Sequence, residues 1–249
     1  MEFFTILLSG LIALVSPTGV VIDRVAAAQI RKQLVAAEEL QVRVDNAPSY
    51  QIINGRIDRV RIAGRGLFPL KDFRIETFEL ETDPVAFRLR SGKLEQPLQA
   101  AFRVVLTESD VNQALRSPLI TARLQNVGIR FLQQREGRYN LINPRVTFLP
   151  NRLRLQVDLQ EQSSPQTLAI VAEAEPKAIA GKSLQLRNLK ITANGQPVPE
   201  PIASAIANGI SERLNLDSLE RSNTTARILD VKLDAATLQI VAFAQVRSK

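Results

Sequence analysis

Beyond Glu39, apolar side chains return at every second position in one segment after another, and this alternation limits the fold more than any other feature. Leu40, Val42 and Val44 alternate with Gln41, Arg43 and Asp45, and the turn residues Asn46-Ala47-Pro48-Ser49 close that segment. The same period returns at Val60 and Ile62, at Phe102, Val104 and Leu106, at Leu153 to Leu159, at Leu168 to Ala172, at Leu189 and Ile191, at Val231 and Leu233, and at Leu238 to Ala242. One apolar and one polar face per strand predicts antiparallel sheet with water on its outer side. Between Ile75 and Phe78 the apolar parity switches, which a β-bulge accommodates and which bends a sheet.

Helical signals interrupt the strands twice. Thr107-Glu108-Ser109-Asp110 reads as an N-cap with an acid at its third position, Leu106 is placed to staple onto Val111, and Val111 and Leu115 face inward until Pro118. Pro199-Glu200-Pro201 leads into Ile202, Ile206, Ile210 and Leu214, one apolar stripe that ends near Asn215.

The N-terminus carries a third pattern. Phe3 to Ile22 is an almost uncharged run, long enough to cross a hydrocarbon core of roughly 30 Å but interrupted by Ser, Gly and Pro. Glu2 stands where a secretory signal carries a cation, and Arg24, Arg31 and Lys32 follow the run. Val25, Ala26, Ile30, Leu34 and Val35 then follow helical spacing as far as about Glu39. The expected organisation is an apolar anchor or signal-like segment over residues 1–22, then a single α+β domain over residues 23–249. The alternative is that both N-terminal elements pack in the core. No repeat or linker divides the body.

With 249 residues, 45% of them hydrophobic, the chain is able to bury a substantial core. Its formal charge of +7 points to an anionic partner surface, and 5% aromatic residues with no Trp count against stacked nucleic-acid bases. With no Cys and no His there is no thiol nucleophile, no imidazole base and no zinc site of the usual kind. The remaining carboxylate pairs, such as Asp45 with Asp58 or Asp110 with Asp158, have no spacing that sets them apart from turn and surface acids. No phosphate-binding glycine loop, nucleophile elbow or calcium loop occurs. A non-catalytic protein without metal or cofactor is expected.

Two sets of residues stand out as binding candidates. Arg59, Arg61, Arg65 and Arg74 are placed to meet phosphate headgroups or an anionic surface, or else form a solvated outer sheet face. Phe73, Phe78, Phe102, Val111, Leu115, Ile206 and Ile210 are candidates for an apolar groove. Walls this aliphatic suit alkyl chains better than sugars or bases, though they serve a filled core equally well.

LQVRVDNAPSYQIINGRIDRVRIAGRGL at Leu40 to Leu67, LTESDVNQAL at Leu106 to Leu115 and ITANGQPVP at Ile191 to Pro199 carry a resemblance. In them the chain resembles the LmeA-type phospholipid-binding proteins, most closely their cyanobacterial branch. The resemblance implies a strongly curved antiparallel sheet wrapped around helices, as in tubular lipid-binding domains. It implies a phospholipid partner and a place at a membrane, in the cell envelope or at the thylakoid, with the side of the membrane left open. It transfers no binding residues, because these motifs are structural. The expected function is non-catalytic binding of phospholipid acyl chains in an apolar groove, in lipid transfer or membrane maintenance. The alternative is a membrane-associated structural or assembly protein with a filled core.

Overall fold

The computed structural model describes residues 22–88, 93–125, 127–129, 137–162, 166–200, 203–204, 216 and 224–247. The expected apolar anchor, apart from Ile22, and most of the stripe from Ile202 to Leu214, including Ile206 and Ile210, lie outside them. Among the described residues no helix is long and apolar enough to cross a membrane.

The chain is built mostly of antiparallel strands with few helices, in sheets that do not close. Helix α1 spans Ile22–Gln33, and β1 follows at Ala36–Asp45. A single 3-10 stretch, Ser49–Asn54, leads to β2 (Arg56–Ile57), β3 (Arg59–Leu70), β4 (Phe73–Thr82), β5 (Val85–Ala86) and β6 (Leu98–Thr107). Helices α2 (Glu108–Leu115) and α3 (Pro118–Arg123) come next. They precede β7 (Val127–Ile129), β8 (Gly137–Leu149), β9 (Arg152–Glu161), β10 (Thr167–Ile179), β11 (Ser183–Ala193) and β12 (Gln196–Pro197). The hairpin β13 (Thr224–Leu233) and β14 (Thr237–Val246) completes the described elements. One sheet has the order β1-β3-β4-β6-β14-β13, a second β12-β11-β10-β9-β8-β7, and β2 pairs with β5.

Contacts group the chain into two compact units. Unit 1 comprises Met1–Val105, Leu216–Asp230 and Ile240–Lys249, and unit 2 comprises Leu106–Asn215 and Val231–Gln239.

Within unit 1, the alternation of β3 buries Val60, Ile62 and Gly64 and exposes Arg59, Arg61, Ala63 and Arg65. Gly66 then takes a positive φ of 54°, and Leu67 becomes fully buried where strict alternation would expose it. Leu67 comes so close to Gly64 that a Cβ there would sit 2.8 Å from the leucine methyls. The facing strand answers with the parity switch seen in the sequence, Ile75 opposite Leu67 and Phe78 opposite Gly64, both buried. Ala63-Gly64-Arg65-Gly66, which reads as a turn or strand break, therefore lies inside β3.

The α1–β1 boundary also falls earlier than the helical spacing predicts. Helix α1 ends at Gln33, and Glu38 and Glu39 belong to β1. The Glu38 carboxylate takes both prongs of the Arg74 guanidinium, at 3.0 and 3.1 Å, and the segment pairs with β3 from Ala36 to Asp45, long-range pairing that overrides local helical preference.

Unit 2 bends by the same device. Asn188, at φ 52°, marks a shift in the β10–β11 register between Glu173 and Glu175. The apolar parity of β11 accordingly passes from Leu184 and Leu186 to Leu189 and Ile191.

Candidate functional site

The arginines of unit 1 stand on the outer face of its sheet. Arg43, Arg61, Glu81 and Ala101 form one cross-strand row, and Gln41, Ala63, Glu79 and Arg103 the next. Arg61 donates to Asp45 at 2.5 Å, and Arg59 lies 3.0 Å from Glu81. Arg74 binds Glu38 and donates a further bond to Glu76 at 2.5 Å. Arg103 engages both oxygens of Glu79 at 2.9 and 2.7 Å, and these bonds hold the Glu79 carboxyl below the ordinary carboxylate range. Of the four candidate headgroup arginines, Arg65 is the one that is exposed and without an ion pair among the described residues.

The opposite face of that sheet is apolar. Val42, Ile62, Leu80 and Phe102 form one row, and Leu40, Gly64, Phe78 and Val104 the next. Phe78 is fully buried and stacks on Phe102 with ring centroids 6.5 Å apart. Helix α1 packs on β1 and buries Ala26 and Ile30. A groove of about 790 Å³ draws its lining from both sets of rows, with Ala27, Leu40, Val42, Ile62, Leu80, Phe102 and Val241 as apolar lining and the outer-face residues Arg43, Arg61, Glu79 and Arg103 among its polar lining. Of the other expected groove residues of unit 1, Phe73 is half-buried at the β3–β4 hairpin.

In unit 2 the segment from Thr107 to Leu115 docks a helix against a strand. Thr107 accepts from the Asp110 N–H at 3.1 Å, and Asp110 accepts from the Thr107 N–H at 3.0 Å, which closes a capping box. Asn112, one turn into α2, then behaves like a strand residue. Its amide nitrogen donates to the Val146 carbonyl at 2.7 Å, and its oxygen accepts from the Val146 N–H at 2.8 Å. Glu108 accepts from the Phe148 N–H at 2.8 Å. Two side chains at i and i+4 thus satisfy three backbone groups of β8. Val111 and Leu115 pack on the cluster Val146, Phe148 and Leu233, together with Leu153, Leu155 and Leu238.

Beyond that cluster the same face continues through two aliphatic rows. Leu141, Leu159 and Leu168 form one row across β8, β9 and β10, and Val157, Ile170 and Ala193 another across β9, β10 and β11. Val157 and Leu159 are buried, whereas Leu141, Leu168, Ile170 and Ala193 are only half-buried. Pattern reading did not single out this surface, although the alternation that forms it is plain in Leu153 to Leu159 and Leu168 to Ala172.

The carboxylates weighed as acid–base pairs are engaged elsewhere. Asp45 holds Arg61, Asp58 accepts from the Ala47 N–H at 2.7 Å, Asp110 caps α2, and Asp158 accepts from Asn143 at 2.9 Å. Among the described residues no three potential ligands gather into a metal site. Asn112 and Glu108 are the residues that pattern reading missed. The signal was present, because Glu108 and Asn112 lie three residues before Val111 and Leu115 and so border the helix's buried side.

A family model described as LmeA-like phospholipid-binding matches residues 15–243, nearly the whole chain. No curated protein and no solved structure matches it.

Proposed function

The chain belongs to the LmeA-like phospholipid-binding family, a family of phospholipid binders and not a known family of enzymes, and from that premise we propose that it holds phospholipid acyl chains without catalysing a reaction. The observation that carries this reading is the aliphatic face of unit 2, where Leu141, Leu168, Ile170 and Ala193 keep apolar surface half in contact with solvent. Each methylene of an alkyl chain buried there contributes about 0.8 kcal/mol, and the polar side chains of that face, Gln196 beside Ala193 and the Tyr139–Glu161 pair, stand at the margin of the two rows. The 790 Å³ groove of unit 1, with Phe102 in its lining and Phe78 beneath, is the second candidate for the acyl chain. Its size lies inside the roughly 300–1,000 Å³ range of small-molecule sites.

For the headgroup we propose Arg65 first, since a phosphate at Arg59, Arg61 or Arg74 has to displace a carboxylate. A place in the cyanobacterial branch, and at the cell envelope or thylakoid membrane, belongs to the same proposal. It is supported by the LQVRVDNAPSYQIINGRIDRVRIAGRGL and LTESDVNQAL segments.

The test is mass spectrometry of organic extracts from protein purified without detergent, compared with a mock purification. Stoichiometric phospholipid is expected, with the amount falling severalfold in Ile170→Glu if unit 2 carries the chain and in Leu80→Glu if unit 1 does. A clean extract from folded protein that also takes up no lipid from vesicles would favour a membrane-associated assembly protein with a filled core.

A further inference from the structure

Apart from Arg65, the arginines named on the outer face of unit 1 are matched by carboxylates, but at one end of its sheet three cations are not. Helix α1 finishes with Arg31 and Lys32, and the chain passes through buried Leu34 to Val35. The Val35 N–H donates to the Phe68 carbonyl at 2.8 Å, which sets Val35 beside the end of β3. Two residues beyond Phe68, Leu70 opens the hairpin through Lys71 and Asp72 and pairs with Phe73. Val35 is 63% exposed and Leu70 37%. Arg31, Lys32 and Lys71 are all exposed, and none has an ion pair among the described residues.

The other end of the sheet differs in charge. There Tyr50 is 63% exposed and Ile53 68%, but Asp45 closes the strand before them, Asp58 accepts from the Ala47 N–H, and Arg56 is an exposed cation close by in sequence. Both ends thus show apolar side chains to water, and the hairpin end carries the larger excess of positive charge, with Arg31, Lys32 and Lys71 against Asp72.

We propose that the β3–β4 hairpin tip docks unit 1 on the surface of an anionic phospholipid bilayer, with Val35 and Leu70 entering the headgroup region and Arg31, Lys32 and Lys71 drawn to its phosphates. The proposal rests on the phospholipid-binding reading and adds the surface by which the protein meets its source of lipid. Side chains of this kind contribute in two ways, one apolar and independent of salt, the other electrostatic and weakened once the Debye length falls below about 10 Å.

The chain contains no Trp, so Leu70→Trp in the full-length protein provides a single indole at the tip, and Val35→Trp provides an independent second probe. With phosphatidylglycerol vesicles, both are expected to shift their emission to the blue and to be quenched by lipids brominated on their acyl chains. Ile53→Trp is expected to show neither change. Adding Lys32→Glu with Lys71→Glu to the Leu70→Trp protein should weaken the response about tenfold or more. An unshifted, unquenched indole at both tip positions overturns the proposal, and so does an equal response from Ile53→Trp. Lipid extraction from the same Leu70→Trp protein separates the two readings: bound phospholipid with a silent tip refutes docking alone, whereas a responsive tip with a clean extract refutes the cargo reading alone.

Discussion

Unit 1 and unit 2 are written in the same alternating code and put it to different use. In unit 1 the centre of the apolar side is closed: Val60 and Ile75 are 1% exposed, and Leu67 and Phe78 are fully buried, while Leu80 and Val104 on the same side are half-buried. In unit 2 the corresponding rows hold Val146 and Phe148 in a small cluster, then run on into aliphatic side chains that stay half-buried. Unit 1 therefore centres on a closed cluster, whereas the two aliphatic rows of unit 2 hold four half-buried residues, Leu141, Leu168, Ile170 and Ala193. The number of apolar residues in a strand pattern does not separate the two cases. What separates them is whether other elements cover the face.

The largest expected effect tests the closed half of that contrast. Phe78→Ala removes a fully buried ring that stacks on Phe102, and should cost about 3–5 kcal/mol in urea unfolding. A cost below about 1 kcal/mol would mean that the unit 1 interior relaxes freely, and the distinction between the units would fail.

Next comes the joint that organises unit 2. Asn112→Ala strips the Val146 N–H and C=O of their partner in a buried place, and about 3 kcal/mol is expected from two unsatisfied backbone groups. If the same variant leaves unfolding unchanged, water replaces the amide and α2 does not close the β8 edge. Gly66→Ala should cost about 1–2 kcal/mol for the positive φ alone. Its Cβ would also collide with the Glu38 carboxylate and loosen the Glu38–Arg74 pair, so Gly66→Ala and Glu38→Gln should be less than additive. Thr107→Ala opens the capping box at about 1 kcal/mol, and Thr107→Ser should restore it.

Much of this architecture was legible beforehand. The strand faces, the capping box, the break at Pro118 and the parity switch at Ile75 and Phe78 all follow from local spacing, because each depends on neighbours a few residues away. What escaped is long-range. Glu38 and Glu39 keep helical spacing after Leu34, yet that segment pairs along β3, and Glu38 there meets Arg74, 36 residues on. Gly64 and Gly66 look like a turn until Leu67 and Glu38 occupy the space that their missing side chains leave. Asn112 reads as a helix-surface amide, since its partner Val146 is 34 residues away. The arginines stood out on residue type and strand parity alone, whereas their carboxylate partners come from separate strands. The half-buried rows of unit 2 depend on what covers them, and period-two spacing carries no record of that.

The smallest expected effect concerns charge on the outer face of unit 1. Hydrogen bonds from Arg103 lower the Glu79 carboxyl below its ordinary value, with burial acting the other way and the charge of Arg103 adding to the lowering. A carboxylate that is more acidic folded than unfolded stabilises the protein above its unfolded pKa, and that contribution disappears as pH falls through the folded value. Glu79→Gln should therefore be less stable than the parent at neutral pH, by less than about 1 kcal/mol because the pair is half in solvent. The deficit should shrink between about pH 5 and pH 3 as the parent's carboxylate takes up its proton. Urea midpoints of both proteins across that range decide the point. A deficit that stays constant into acid would show that the glutamine disturbs packing or the β4–β6 ladder, and the paired outer face would then contribute shape to unit 1 and no measurable charge stabilisation.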